Sequence, residues 1–303
     1  MEMTLKTLGL SKSYGARQVL SNCSIHVPQG AIYGLVGRNG AGKTTLFRVI
    51  CGLQKPTAGS YELYGVADRS RDILSVRRRM GAIVESPAVI GDLSAADNLT
   101  AYAKLLGIPG QRRIGETLRM VDLASTGSKK VKNFSLGMRQ RLGIACALLG
   151  SPDFLILDEP ANGLDPQGII EIRELILRLN EERGITFLIS SHILDELSRL
   201  ATWYGFLDGG RVVQEISADA LAQKCSHSTR IEVDPASAIA PALDAMHLSY
   251  QIESPGHLRV FGDLNITEFV LGLHEKGISV RHLSEENETL ESYFLRLLGG
   301  EAA

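Results

Sequence analysis

The sequence predicts an α/β protein that is followed by a small α+β domain. A glycine-rich loop, residues 37–45, lies between an apolar strand pattern and a helical pattern. A short, fully apolar run at residues 154–157 is typical of a strand in a sheet buried on both faces. Beyond residue 222 the pattern changes to β-α-β-β-α-β, which indicates a split βαβ arrangement. The chain therefore divides into a larger domain, 1–221, and a C-terminal domain, 222–303.

The glycine-rich loop has the features of a phosphate site. It reads Gly37-Arg38-Asn39-Gly40-Ala41-Gly42-Lys43-Thr44-Thr45 and matches the pattern G-x-x-x-x-G-K-S/T. Its backbone N–H groups and the positive end of the following helix favour polyphosphate. We expect Lys43 to contact the β- and γ-phosphates and Thr44 to offer its hydroxyl to Mg²⁺. The alternative is a glycine-rich turn that only joins a strand to a helix, and the full string disfavours it.

The remaining elements of the larger domain follow from local patterns. Strand patterns occupy 4–10 and 23–27, and Tyr14 lies in a turn at 13–15, either as a stacking platform for adenine or as a half-buried strand-end tyrosine. Helical periodicity at three places between 95 and 150 predicts a helical insertion. The other predicted strands are 61–64, 80–84, 186–189, 203–207 and 211–215, and the other predicted helices are 167–182 and 193–200.

The C-terminal domain is predicted in less detail. Its strands are expected at 230–233, 249–252, 257–261 and 278–283, with helices at 236–246, 266–275 and 288–298. Residues 222–303 hold six Lys/Arg and twelve Asp/Glu, a charge of −6, so the first 221 residues carry +4 of the total of −2. That charge suits an anionic nucleotide and is too weak to indicate a nucleic-acid surface.

Composition and cysteine usage indicate an intracellular protein. No apolar run approaches 18 residues, and the N-terminus lacks the layout of a signal peptide. The four cysteines are widely spaced without a C-x-x-C pair, so each is expected to be a buried, reduced thiol. They are Cys23, Cys51, Cys146 and Cys225.

Two acidic residues and one histidine complete the predicted chemistry. Asp158 and Glu159 follow the apolar strand at 154–157, where open α/β sheets bind ligands. Asp158 would hold Mg²⁺ through water, and Glu159 would act as general base on the attacking water. His192 follows a strand expected in the same sheet and can therefore reach a γ-phosphate.

Together these motifs resemble the ATP-binding subunit of an ABC transporter over residues 3–220. Gly37–Thr45 is similar to its Walker A motif and Phe154–Glu159 to its Walker B motif, while Ser135–Arg141 stands where the signature belongs, 23 residues before Asp158. Three further positions match: Ala161–Asp165 for the D-loop, His192 for the switch histidine and Tyr14 for adenine stacking. The resemblance implies a P-loop NTPase core with an antiparallel β subdomain.

Two departures from the usual family motifs indicate a particular subfamily. The signature reads Phe134-Ser135-Leu136-Gly137-Met138 instead of Leu-Ser-Gly-Gly-Gln, so only Ser135 and Gly137 of the phosphate-contacting residues remain. Glu85 stands where most relatives have a glutamine that binds Mg²⁺ and senses the transporter. Both features are similar to the bacitracin-export and lantibiotic-immunity subfamily.

The resemblance also implies partners. Two copies would form a head-to-tail dimer that traps two ATP, each with Mg²⁺, between the Walker A loop of one copy and Ser135 and Gly137 of the other, with Asp165 nearby. Thr44, Glu85 and Asp158 would hold the metal, and Lys43, Glu159 and His192 would act in catalysis. Separate membrane-spanning subunits would dock near Glu85 and the helical region after it, which places the chain on the inner face of the plasma membrane. The resemblance implies export of, or protection against, a peptide antibiotic or drug.

Two other functions share this fold. A soluble ABC-type ATPase acting on DNA or ribosomes is disfavoured, since only 92 residues separate Lys43 from Ser135 and no paired cysteines or strong basic patch are present. An ATP-driven sensor that signals through a membrane partner remains open.

Overall fold

The computed structural model describes residues 2–108, 111–224, 228–233, 239–246, 248–261, 264–275, 278–286 and 289–298. The chain divides into two compact units, Met1–Ala218 and Asp219–Ala303, a boundary three residues before the one expected from the sequence. None of the helices in these described ranges is long and apolar enough to cross a membrane. Each unit is described by itself below.

The first unit contains eleven strands and seven helices in the described ranges. The strands are β1 (Met3–Tyr14), β2 (Arg17–Cys23), β3 (His26–Pro28), β4 (Ile32–Gly37), β5 (Ala58–Leu63), β6 (Val66–Ala67), β7 (Met80–Ile83), β8 (Phe154–Asp158), β9 (Thr186–Ser191), β10 (Trp203–Asp208) and β11 (Arg211–Ser217). The helices are α1 (Lys43–Ile50), α2 (Ile73–Arg77), α3 (Ala95–Leu106), α4 (Gln111–Met120), α5 (Leu136–Leu148), α6 (Pro166–Arg183) and α7 (Leu194–Ser198). Helix α8 (Ala218–Lys224) follows at the boundary.

A six-stranded sheet of order β11-β10-β4-β9-β8-β7 forms the centre of the first unit. Strands β10, β4, β9, β8 and β7 are parallel, and β11 is antiparallel at the edge. Every residue of β4, β8 and β9 is buried, as expected of parallel strands covered on both faces. Because these strands are parallel, their carboxyl ends lie at one edge and bring Gly37, Asp158 and Ser191 to the same region.

An antiparallel sheet of order β2-β1-β5-β6, with β3 also paired to β1, forms the second layer. The predicted single strand at 23–27 is wrong, because the chain bends there: Asn22 has φ 53, Cys23 ends β2, and His26 begins β3. Tyr14 is the last residue of β1 and pairs with Arg17, so it lies at a strand end and not in the turn itself.

The helical insertion consists of α3, α4 and α5, as the periodicity predicts. Ser94 caps α3 through a capping box with Asp97, and Gly107 at φ 66 ends the helix in the left-handed conformation. Helix α5 begins at Leu136 behind its N-cap Ser135. The short helix α2 was not predicted. The predicted fold class, an α/β core with an antiparallel β subdomain and a helical insertion, is confirmed.

The second unit follows the predicted order of strands and helices. Its elements are β12 (Ser228–Val233), α9 (Ala240–Ala245), β13 (Ser249–Ser254), β14 (His257–Phe261), α10 (Ile266–Glu275), β15 (Val280–Glu286) and α11 (Leu290–Leu297). The antiparallel sheet has the order β13-β14-β12-β15. Its core includes Ile231, Leu258 and Val260 from the sheet and Leu243 and Phe269 from the helices. Cys225 and the predicted helix residues 236–238 and 288 lie outside the described residues.

Candidate nucleotide site

The glycine-rich loop connects the end of β4 to the start of α1, as predicted. Gly40 and Gly42 have φ 82 and φ 111, in the left-handed region that favours glycine. A Cβ at Gly42 would lie 2.7 Å from Leu20 Cδ2, and one at Gly37 would lie 2.7 Å from the Leu207 carbonyl oxygen. Both glycines therefore allow a close backbone approach that a side chain would prevent.

The N-terminus of α1 has no side-chain cap, a property that it shares with the shorter helices α2 and α7. Its N-cap is Gly42, which makes no side-chain cap hydrogen bond, and the first turn contains no acidic residue. Helices α3, α5 and α6, in contrast, are capped by Ser94, Ser135 and Asp165. The first N–H groups of α1 thus have no capping side chain, and together with the helix dipole they fit an anionic phosphate group.

Lys43 is the buried cation of this loop, with 6% of its surface exposed. Its Nζ donates a hydrogen bond to the Gly37 carbonyl oxygen at 2.6 Å and lies 3.7 Å from Glu159 Oε1. A nearly buried ammonium requires a compensating negative partner. Its position beside the uncapped helix start provides a point charge for the predicted β- and γ-phosphates.

Thr44 and Asp158, two of the three predicted metal ligands, are in direct contact. The Thr44 hydroxyl donates to Asp158 Oδ2 at 2.7 Å, and Ser190 Oγ donates to Oδ1 at 2.6 Å. Asp158 is paired with Ser190 in the parallel register of β8 and β9, which explains the contact. One carboxylate with a neighbouring hydroxyl suits Mg²⁺, which usually keeps waters and substrate phosphates as its other ligands. No group of three or more His, Cys, Asp or Glu side chains within the described ranges forms a dedicated metal cage.

Glu159 and His192, the predicted base and switch histidine, are joined by a hydrogen bond. His192 Nδ1 lies 2.5 Å from Glu159 Oε2, and an ionised carboxylate can only accept, so Nδ1 carries the proton. The Glu159 backbone has φ 49 and is held there by its N–H, which donates to Ser190 Oγ at 3.0 Å. The structure therefore brings together all three predicted catalytic residues, since Lys43 lies on the other side of the same carboxylate.

Ser190 is a site residue that sequence reasoning missed. It is fully buried and hydrogen-bonds both the Asp158 carboxylate and the Glu159 backbone. The predicted strand ended at Ile189, two residues before the end of β9. Extending β9 by two residues and aligning it with the strand that ends at Asp158 would have revealed the contact.

Glu85, the third predicted metal ligand, is not bonded to Thr44 or Asp158. Its carboxylate forms an ion pair with Arg48 of α1, and its backbone has φ 69. It does line a cavity of about 320 Å³ together with Glu159, Leu136 and Arg139. The structure thus places Glu85 near the predicted base but gives its charge a different partner.

Tyr14 is exposed, as a stacking platform requires. Forty-three per cent of its surface is accessible, its hydroxyl donates to Gln54, and the Lys12 ammonium lies 5.2 Å from the ring centroid. The hydrogen bond and the cation–π contact hold the ring in place, while the exposed part of its surface remains accessible to a flat base.

The signature and D-loop residues serve as helix caps within one chain. Ser135 Oγ accepts from the Met138 N–H at 3.2 Å, and Asp165 Oδ1 accepts from the Gly168 N–H at 3.0 Å. Gly137 has Leu164 as its nearest neighbour, 3.8 Å from an added Cβ, so the two loops lie side by side.

The remaining predicted contacts belong to the glycine-rich loop. Arg38 and Asn39 are exposed, whereas Ala41 is buried and Thr45 is half-buried.

Comparison with known proteins gives one consistent family. The sequence profile described as ABC transporter matches residues 20–162. The bacitracin transport ATP-binding protein BcrA of Bacillus licheniformis is 41% identical over 304 residues, 99% of this chain and 99% of the relative. The lantibiotic transport ATP-binding protein SrtF of Streptococcus pyogenes is 44% identical over 71% of this chain and 91% of its own. A dimeric, post-hydrolysis structure of an ATP-binding cassette bound to ADP and Pi is 27% identical, with a TM-score of 0.63 over 71% of this chain and 98% of that one.

Proposed function

The chain belongs to the ATP-binding subunits of ABC transporters, and on that premise we propose that it powers export of a peptide antibiotic. Members of this family bind ATP with Mg²⁺, hydrolyse it, and work as a pair of cassettes with separate membrane-spanning subunits. The observation that carries the substrate class is the match to BcrA, because it extends over 99% of both chains and so includes the C-terminal unit. The match to SrtF, a lantibiotic transport protein, covers 71% of the chain and supports the same class of substrate.

In this proposal, the residues around β4, β8 and β9 divide the work of hydrolysis. Glu159 accepts a proton from the attacking water, and its hydrogen bond with His192 fixes the orientation of the carboxylate. Lys43 and the first N–H groups of α1 hold the phosphates. Thr44 and Asp158 would hold Mg²⁺, which would supply positive charge to the phosphate oxygens. Glu85 remains a candidate third ligand, since it borders the same cavity as Glu159.

The second copy of the chain supplies the remaining contacts to ATP. Ser135, Gly137 and Asp165 lie at the starts of helices α5 and α6, and they would contact the ATP that the other copy binds. Tyr14 would stack on the adenine. ATP contacts made only in the closed dimer would shift the population towards it, and hydrolysis would reverse that shift. The permease would hold both copies at the inner face of the plasma membrane, and no nucleic acid is involved.

Resistance to a defined peptide tests this function. The chain and its permease subunits are expressed in a bacitracin-sensitive, lantibiotic-sensitive strain, and the minimal inhibitory concentrations of bacitracin and of a lantibiotic are measured. Wild type should raise one of them severalfold, and the Glu159→Gln variant should not. If wild type protects the strain against neither bacitracin nor the lantibiotic, or if the variant protects it equally well, ATP-driven peptide export is contradicted.

A further inference from the structure

The loop that follows β7 holds a glutamate in an uncommon conformation. Glu85 has φ 69, in the left-handed region that side chains other than glycine seldom adopt. Such a backbone persists only where its surroundings fix it. Two contacts do so here: the ion pair between Glu85 and Arg48, and the packing of Pro87 against Gly143, where an added Cβ would lie 2.6 Å from Pro87 Cβ.

Arg48 extends from the helix that begins at the phosphate loop. Helix α1 starts at Lys43 and ends at Ile50, so Arg48 lies in its last turn. A cation there also interacts favourably with the negative end of the helix dipole. The guanidinium is about one-third exposed, 32%, and the Glu85 carboxylate is 59% exposed, so solvent and salt screen the pair partly.

Two carboxylates that line one cavity each have a cation from α1. Glu85 and Glu159 line the same cavity of about 320 Å³. Lys43, at the first residue of α1, lies 3.7 Å from Glu159, and Arg48, five residues later, pairs with Glu85. Two unpaired carboxylates beside a triphosphate would repel it, because all of these groups are negatively charged and lie at short range. One helix therefore supplies the counter-charge for both acids.

We propose that Arg48 is a positioning residue for Glu85, and that its guanidinium neutralises this carboxylate and sets its distance from bound MgATP. The inference rests on the proposed ATPase function of the site. It explains how the chain accommodates a negative side chain where a neutral glutamine is usual. Arg48 itself contacts neither phosphate nor metal in this proposal and acts only through Glu85.

A double-mutant cycle tests the pairing. Titration of the full chain with a fluorescent ATP analogue in the presence of Mg²⁺ gives a Kd that does not depend on turnover, and steady-state ATPase measurements give the Mg²⁺ concentration for half-maximal rate, in wild type, Arg48→Gln, Glu85→Gln and the double variant. Arg48→Gln should raise both quantities about threefold to fivefold, the range for a partly exposed ion pair. In the Glu85→Gln background the same change should have less than about a twofold effect, because no charge remains to be neutralised. The increase should shrink at high salt.

A control separates this role from a structural one. Arg71→Gln removes an exposed arginine for which the described part of the chain records no ion pair, and it should leave both quantities unchanged. An equal effect of Arg48→Gln with and without Glu85 would show that Arg48 merely supports α1, and no effect in either background would equally overturn the inference. If wild type does not hydrolyse ATP, the proposed function fails instead, so the two failures are distinguishable.

Discussion

Replacing Glu159 by glutamine removes one charge from the catalytic site and preserves its shape. The carboxylate lies 2.5 Å from His192 Nδ1 and 3.7 Å from Lys43 Nζ, and glutamine can keep the same backbone conformation at φ 49. A positioned general base contributes about 10²–10⁴-fold to rate, so the turnover number should fall by that factor. This corresponds to about 3–5 kcal/mol of activation free energy.

The same substitution should not weaken ATP binding. At 3.7 Å and an effective dielectric constant of about 20, the attraction between Lys43 and Glu159 is about 4 kcal/mol before relaxation of the site. The variant frees the ammonium from this partner, so ATP binding should stay equal or become tighter. Phosphate release under saturating MgATP measures turnover, a fluorescent ATP analogue measures affinity, and size-exclusion chromatography should show that the variant accumulates as an ATP-bound dimer.

The control is Glu182→Gln, which removes an exposed carboxylate from the last turn of α6, away from the sheet edge that carries the site. It should retain wild-type turnover and affinity. A Glu159→Gln variant whose turnover stays within about twofold of wild type would refute its assignment as general base, since a base contributes at least about 10²-fold. Lost ATP binding would instead indicate that the variant disrupts the site.

Two further predictions concern stability. Gly42→Ala should lower the free energy of unfolding by about 1–3 kcal/mol, because residue 42 has φ 111 and the new Cβ would meet Leu20 Cδ2 at 2.7 Å. Gly115→Ala, in α4, should be neutral or stabilising by up to about 1 kcal/mol, because the new Cβ would make only an ordinary contact of 3.8 Å with Arg119 Nη1, and urea denaturation that ranks the two variants in reverse would contradict the argument. Burial raises the pKa of three thiols from 9.0 to about 12, so the unfolded chain releases their protons first and stability should fall as pH rises from about 9 to about 12, by about 1–2 kcal/mol per thiol at pH 10. These thiols are Cys23 and Cys146, which are buried as predicted, and Cys51, which is half-buried where a buried thiol was predicted. In a Cys225→Ser background, rapid labelling of the native chain by a thiol reagent at pH 8 would contradict their burial.

Local sequence patterns predicted most of the strands and helices of the first unit. Strand β8 and helix α3 were recognisable because an apolar run and a 3.6-residue period are properties of neighbouring residues. The break between β2 and β3 was missed, because residues 23–27 alternate apolar and polar side chains as a continuous strand would, whereas Ser24 and Ile25 lie outside both strands. Helix α2 was also missed.

The nucleotide-binding loop was determined by the sequence alone. Gly37, Gly42 and Lys43 act through backbone conformation and the start of α1, which are local properties of a strand, a turn and a helix. The same is true of Asp158 and Glu159, since a buried strand followed by two acids places them at a sheet edge.

Only the tertiary structure decided how the site residues pair. His192 meets Glu159 across 33 residues, and Arg48 meets Glu85 across 37, because parallel strands and one helix bring their ends to a common edge. Such pairings depend on strand register and side-chain direction, which no local pattern encodes. The left-handed backbones of Glu85 and Glu159 have the same origin, since long-range contacts hold them in a conformation that their own residue type disfavours.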